Sequence, residues 1–255
     1  MEKVKKGDLS IRIHPQSNDE MGRLTSSFNQ MTEDLGRYLE DKVQRQKDLN
    51  ETKLKLYQTQ LNPHFLYNTL DTIKWEARIR QMPRIAVLAE NLAVILRKSI
   101  SSKLFIPLKE ELETIDSYVE VQEIRFTGRF LCEKEIPDQL EECLVPKMIL
   151  QPLVENAILH GLEGCENGYI CIYAGREGDV LNISITDNGC GMSPEILAWI
   201  NSPEPEKRDG HLGIYNIMRI LKLYYGNEYG LKAEVTEDGT TVTLSLPVRM
   251  EGDDV

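Results

Sequence analysis

The chain has 255 residues, 41% hydrophobic and 28% charged, which is the composition of an ordinary folded protein with at least one sizeable core and excludes wholesale disorder. A formal net charge of −11 without a dense Lys/Arg cluster excludes a nucleic-acid surface. Cysteines at 132, 143, 165, 171 and 190, with no C-x-x-C spacing, argue against a disulfide framework or zinc site and fit reduced, mostly buried thiols; no apolar run long enough to span a bilayer and no signal peptide is present.

Helix signals fill the first half. Ser17 and Glu20 form an S-x-x-E capping box ahead of "MGRLTSSFNQMTEDLGRYLE", preceded by the extended connector "GDLSIRI". Leu24, Phe28, Met31, Leu35 and Tyr38 recur by four and three, a narrow heptad seam that predicts a partner helix. The polar "EDKVQRQKDLNETK" after it reads as a solvated coiled-coil linker.

A second helical unit is expected over 59–127. In "QLNPHFLYNTLDTIKWEA", Leu66, Leu70, Ile73 and Ala77 form one stripe, while His64, Asn68, Asp71 and Trp75 form another about 200° away. A core on the leucine stripe turns His64 outward or toward a second partner. The plain structural alternative makes His64 incidental to a helix start, with Asn62 as N-cap and Pro63 at N1. Gln81-Met82-Pro83 is a turn signal, so 60–80 and 84–100 are predicted to pair as an antiparallel hairpin. A further helix opens after Pro107, with Leu108, Leu112, Ile115 and Val119 on its buried face.

From about 128 helical and strand periods alternate, which defines an α/β domain. "PKMILQPLVENAILHG" reads as helix, "GYICIYAGREGDVLNISITDNG" as two strands, and "LKAEVTEDGTTVTLSLPV" as a hairpin around Asp238-Gly239. Strands joined by short turns predict a mixed, mainly antiparallel sheet.

Three segments of this domain carry chemistry. In "LVENAILHG", Asn156 and His160 lie four apart on one helical face beside Glu155, and a carboxamide oxygen suits Mg²⁺ shared with phosphate; alone, the segment could equally be a surface face ending on a Gly161 C-cap. In "SITDNGCGM", Gly189 and Gly191 permit close backbone approach to a ligand, and Asp187 at the strand end can accept from an exocyclic amine. The helix start at Ser193-Pro194-Glu195 disfavours a simple hairpin turn there. In "GHLGIYNIMRILKLYYG", Gly210 and Gly213 open an amphipathic helix with Ile217, Ile220, Leu221 and Tyr224 inward, a ready phosphate cradle.

On these residues the chain resembles bacterial two-component sensor histidine kinases of the LytS/YesM-like subgroup. "QLNPHFLYNTLD" is similar to the phosphoacceptor box, "PLVENAILHG" to the N box, "DNGCGM" and "GHLGIYN" to the two glycine boxes, and "GDLSIRI…NDEMGRLTSSFNQM" to the second half of a HAMP relay module. The resemblance implies three parts: a HAMP remnant and coiled-coil linker over 1–58, a helical dimerisation and phosphotransfer domain over 59–127, and a Bergerat (GHKL) α/β sandwich over 128–255. It implies ATP and Mg²⁺, with Asn156 holding the metal, Asp187 the adenine amine, Gly189, Gly191 and Gly213 lining the nucleotide, and His160 and Asn216 near the phosphates. It also implies a homodimer, a response-regulator aspartate as final acceptor, and a cytoplasmic fragment of a membrane receptor whose transmembrane region lies upstream.

Within that resemblance His64 is the phosphoacceptor. The position after it, acidic in many histidine kinases, is Phe65, so Glu155, Asn68 and Asp71 are the candidates to orient or deprotonate it. Three positions depart from the family pattern: His211 replaces the first glycine of the second glycine box, Ile220 a common arginine, and Leu159 a frequent lysine. Each removes a possible phosphate contact. A hydrolytic GHKL ATPase is disfavoured because the position of its water-activating glutamate is Pro152. The remaining rival is a degenerate relay module that dimerises and binds partners without turnover.

Overall fold

Residues 63–100 form the helical hairpin that the Gln81-Met82-Pro83 signal predicts, α1 (Pro63–Ile79) and α2 (Pro83–Ile100). The computed structural model describes Gln30 and residues 63–250 apart from 127, 204 and 209. The chain divides into two units, Met1–Asn62 and Pro63–Val255, and apart from Gln30 the described residues all belong to the second. The capping box at 17–20 and the seam at 24–38 lie outside the described residues.

The hairpin turns sharply because the N–H of Met82 reaches back to the Ala77 carbonyl at 2.8 Å. Gln81 takes a left-handed φ of 56°, and Pro83 starts the next helix where its missing donor costs nothing. Ala86, Ala89 and Ala93 are buried on α2, so the two helices approach closely. Of the expected stripe on α1, Leu66 and Leu70 are half-buried and Ala77 buried, but Ile73 is 42% exposed. Tyr67, Asp71 and Lys74 are half-buried as well, so the inward side is rotated from the one expected. On this side of α1, Tyr67 Oη donates to the Leu96 carbonyl of α2 at 3.3 Å, and Arg78 pairs with Glu90 at 3.0 Å across the helix surface.

A short strand β1 (Phe105–Pro107) leads into α3 (Leu108–Phe126). The expected Leu108, Leu112, Ile115 and Val119 are buried, in the same core as the sheet. The helix also packs against α2, where Asn91 Nδ2 donates to Glu120 at 2.7 Å and Lys98 pairs with Glu113 at 2.7 Å. With partners on two sides it buries Glu111, Thr114, Ser117 and Gln122 as well.

The sheet domain is a mixed five-stranded sheet built from β2 (Phe130–Glu135), β4 (Gly168–Glu177), β5 (Val180–Asp187), β6 (Gly230–Thr236) and β7 (Gly239–Pro247), in the order β2-β4-β5-β7-β6. Only β2 and β4 run parallel; β3 (Leu144–Pro146) pairs separately with β1. On β5, Leu181, Ile183 and Ile185 are buried opposite Leu246, Leu244 and Val242, while Asn182, Ser184 and Thr186 alternate outward, as period two demands. Among the described residues no helix is long and apolar enough to cross a membrane.

Three helical segments complete the domain: α4 (Gln151–Asn156), which continues as a π-helical turn Ala157–Gly161, α5 (Pro194–Ile200) and α6 (Leu212–Tyr225). Residues 146–150, expected as helix, are not helical, because Pro146 is held by β1 and Met148 adopts φ 60°. Ser193 caps α5 through Ile196 N–H at 3.3 Å, the helix start its sequence predicted. On α6 the buried tyrosine is Tyr225, not Tyr224, whose ring stacks edge-on to Phe105 at 5.1 Å. The thiols are free but less buried than expected: Cys143 is buried, Cys132, Cys165 and Cys171 are half-exposed and Cys190 is exposed. Asn201, just past α5, uses its amide to donate to the Ala233 carbonyl at 2.9 Å and accept its N–H at 3.0 Å.

Candidate nucleotide and phosphotransfer site

Strand β5 ends on Asp187, 4% exposed and paired with Thr240 at the start of β7. Its Oδ1 accepts the Gly189 N–H at 3.0 Å. Burial pushes the carboxyl above the ordinary aspartate range, opposed by the N–H groups of Gly189 and Thr240, which favour the ionised form. A buried carboxylate fixed by two backbone donors is a rigid acceptor, suited to an amine that brings no charge.

Three glycines make this geometry possible. A methyl group on Gly189 would lie 1.9 Å from the Gly161 carbonyl oxygen, and one on Gly161 would lie 2.8 Å from Asp187 Oδ1. A methyl on Gly239 would meet the Asp187 carbonyl at 1.8 Å, at φ 137°. The Cys190 N–H donates to that same Gly161 carbonyl at 2.9 Å. Thus the end of the π turn and the loop after β5 are stitched together, backbone on backbone. Asn188 fixes the loop from its other side, accepting Tyr169 N–H at 2.6 Å and donating to the Asn167 carbonyl at 3.0 Å.

Asn156 stands on α4 just before the π turn. Its Nδ2 donates to the Pro152 carbonyl at 2.6 Å, which ties down the amide nitrogen and leaves the carboxamide oxygen as the available acceptor. Gly213, in the first turn of α6, abuts Pro152, whose Cβ would be 3.1 Å from a methyl there. The start of α6 therefore stands against the helix that carries Asn156. His160 is exposed; partial burial, the Arg208 guanidinium and, least, the charge of His160 hold His211 below the usual histidine value of 6.5. Asn216 is exposed on α6, and Gly191 sits at φ 82° against Val235. Asn156, His160, Asp187, Gly189, Gly191, Gly213 and Asn216 thus belong to three adjoining segments of one domain.

The donor types fit a magnesium nucleotide: an amide oxygen on Asn156, a buried carboxylate on Asp187, and glycine backbone at 161, 189 and 213 on the adjoining segments. Two of the departing positions turn inward. Leu159 and Ile220 pack against the core, and neither offers charge to a phosphate.

The candidate phosphoacceptor lies on α1. His64 and Asn68 are exposed, one helical turn apart, with Asn68 Nδ2 3.2 Å from His64 Nδ1 and 3.5 Å from Nε2. Asp71, on the same face, is engaged by Lys74 at 2.9 Å, so its carboxylate serves the lysine. Glu155 stands near Tyr118 of α3, a phenol pushed up to about 12 by burial and by the Glu155 charge. Among the described residues no hydrogen bond or ion pair joins the His64–Asn68 pair to the nucleotide segments.

Sequence reasoning overlooked Gly161, taken only as a possible C-cap, and Thr240 and Glu111. Glu111 is 1% exposed, its carboxylate accepting Met148 and Leu150 N–H at 2.9 and 3.0 Å. Its one sequence signal is an acidic residue between Leu108 and Leu112 on an apolar face.

A HAMP domain model matches residues 1–37, a histidine kinase model 52–130, and the model for histidine kinase-, DNA gyrase B- and HSP90-like ATPases 145–250. The chain belongs to the sensor histidine kinase family.

Within that family it is 35% identical to the sensor histidine kinase YesM of Bacillus subtilis over 95% of this chain and 41% of that protein. It is 33% identical to the sensor histidine kinase BtsS of Escherichia coli over 95% and 42%, and 30% identical to the sensor protein LytS of Oceanobacillus iheyensis over 79% and 35%. The chain therefore spans about two fifths of the length of the first two relatives. Among solved structures, the histidine kinase domain of the Erythrobacter litoralis EL346 blue-light activated kinase superposes with a TM-score of 0.46 at 17% identity, over 73% of this chain and 94% of that one.

Proposed function

We propose that the chain is the kinase portion of a membrane sensor, lying on the cytoplasmic side, that moves the γ-phosphoryl group of ATP to His64 and then to an aspartate of a response regulator. The observation that carries this reading is the Asp187–Gly189–Gly161 lock beside Asn156, accompanied by an exposed histidine with an amide partner on a separate helix. Asp187 accepts the adenine amine. Gly189, Gly191 and Gly213 let backbone line the nucleotide, and His160 and Asn216 stand at the phosphates. Asn156 would hold Mg²⁺, which when bound neutralises charge on the phosphates.

His64 attacks the γ-phosphorus in line through a ring nitrogen lone pair, and the bond to the β-phosphate breaks with its electron pair leaving on ADP. Asn68, turned so that its oxygen accepts Nδ1–H, leaves the lone pair on Nε2. Once Nε2 carries the phosphoryl group the ring is cationic, and Glu155 is the side chain we assign to take the Nδ1 proton as Asn68 releases it, leaving a neutral phosphohistidine; protein positioning does the rest. The functional partition is 1–58 relay, 59–127 phosphotransfer and 128–255 ATP binding. Two copies form the working unit. Ile73, Trp75 and Ile79 on α1 and Ile85 and Leu92 on α2 are exposed, and a four-helix bundle of two hairpins would cover part of this apolar surface.

A second reading, a relay module that binds partners without turnover, draws on Leu159 and Ile220 packing against the core instead of reaching phosphates. Incubation with Mg²⁺ and γ-labelled ATP decides between them. Acid-labile, alkali-stable label that vanishes in His64→Ala and in Asn156→Ala is the kinase result. Nucleotide binding without label supports the second reading, and label surviving His64→Ala overturns the assignment of the acceptor.

A further inference from the structure

Residues 147–150 are gripped from two sides. Lys147 Nζ donates to the carbonyls of Ser99, at 2.9 Å, and Ser101 at the end of α2, and its N–H donates to the Leu104 carbonyl at 2.9 Å. The next residues turn the other way: Met148 and Leu150 give their N–H groups to the Glu111 carboxylate in the first turn of α3. Met148 holds φ 60°, a left-handed conformation uncommon outside glycine. Gln151 begins α4 directly afterwards, and Asn156 lies further along that same helix.

We propose that Lys147 and Glu111 are positioning residues that couple the helical hairpin to the nucleotide helix, so that the end of α2 and the start of α3 set where Asn156 stands. The inference rests on the nucleotide-site reading above and adds its control. Close packing alone would be served by apolar side chains. Here a lysine satisfies the open carbonyls of one helix end, and a buried carboxylate takes backbone donors from the segment entering another. All of these bonds end on one four-residue segment, so α2 cannot shift against α3 without breaking some of them. Linkage then runs both ways: a ligand that fixes α4 must also tighten the end of α2.

The experiment is amide hydrogen exchange on the full chain with and without Mg²⁺ and a non-hydrolysable ATP analogue, comparing wild type, Lys147→Met and Lys147→Arg. In wild type the nucleotide is expected to slow exchange at 99–104 and at 147–151 by about 10-fold, within the usual range of coupling between sites. In Lys147→Met the protection at 147–151 stays, that at 99–104 disappears, and affinity for the analogue shifts by less than about 3-fold. Lys147→Arg, which keeps the donors, restores the protection at 99–104. Protection at 99–104 persisting in Lys147→Met overturns the proposal, because the coupling then runs elsewhere. Wild type that binds nucleotide yet protects only 147–151 also overturns it while leaving the nucleotide site standing. Wild type that binds no nucleotide removes the site reading and the proposal together.

Discussion

Gly161 stands so close to Asp187 that an added methyl group would lie 2.8 Å from Oδ1 and 2.9 Å from Cγ of the carboxylate. The contact is with a side chain, and Gly161 lies in a helical turn, where alanine is worth roughly 0.5–1 kcal/mol more than glycine. Gly161→Ala should therefore unfold within about 5 °C of wild type and bind Mg·ATP at least about 10-fold more weakly, since the displaced carboxylate is the proposed adenine acceptor. Calorimetric titration beside a thermal melt checks both. Unchanged affinity would remove Asp187 from the site.

Gly189 meets backbone instead. A methyl 1.9 Å from the Gly161 carbonyl oxygen cannot be relieved by a rotamer change. Gly189→Ala should cost more than about 2 kcal/mol in urea unfolding, since strain and the broken Cys190–Gly161 bond add. Paired with Gly161→Ala, it separates loss of fold from loss of ligand.

Asn68 is predicted to act on His64 alone. Asn68→Ala should leave nucleotide affinity unchanged and lower the rate of label transfer about 10- to 100-fold, the scale of losing one orienting hydrogen bond at a reacting group. Rapid-quench measurement at saturating ATP reads that rate directly. An equal fall in affinity would contradict the separation of the two halves.

His211 introduces a pH dependence. Burial and the neighbouring Arg208 and His160 lower its proton affinity in the folded protein, so the unfolded chain takes up the proton first. The contribution to stability is thus full above 6.5, the ordinary histidine value, and is lost as pH falls through the lower folded value. Phosphate bound at the start of α6 would reverse the local charge balance and favour the imidazolium. Affinity for ATP should then rise as the pH is lowered through the His211 titration, and His211→Gly should flatten that profile. A profile unchanged in the variant would place the phosphates elsewhere.

Dimerisation through the hairpin is tested with Ile73 and Leu92, 42% and 44% exposed. The double variant Ile73→Asp/Leu92→Asp should weaken self-association at least about 100-fold, as buried charge does at a desolvated interface. Sedimentation would then show a 29.2 kDa species at concentrations where wild type is twice that mass.

The hairpin, the alternating strands and the helix start at Ser193 were legible because each follows from local chemistry: a proline after a turn, period-two burial, a serine cap. The three glycine-bearing segments stood out as candidates because glycine beside a carboxylate at a strand end has few structural uses, while their proposed nucleotide roles come from the family resemblance. The rotation of α1 was not: Tyr67 and Arg78 meet partners on another helix, which no local period reports. The irregular run at 146–150 was hidden too. "PKMIL" is a fair helical sequence, and what holds it irregular lies elsewhere in the chain: β1, which pairs Pro146, and a carboxylate nearly forty residues earlier that takes the Met148 and Leu150 N–H groups. Tyr224 and Tyr225 are adjacent in sequence, and Tyr225 is the one covered by residues distant in the chain, with Arg249 over its ring at 5.0 Å and Tyr229 edge-on at 6.0 Å.

Any open sheet has two rims, and each invites a foreign strand. On β6 the outward N–H and carbonyl of Ala233 are occupied by the Asn201 amide, which imitates one rung of a neighbouring strand and then stops. At the opposite rim β2 carries Glu133, Lys134 and Glu135, all exposed, so an incoming chain would have to desolvate charge to zip alongside. Such guarding would let the proposed pair associate through helices without stacking their sheets into filaments. For a protein proposed to work as a pair, that keeps the count at two.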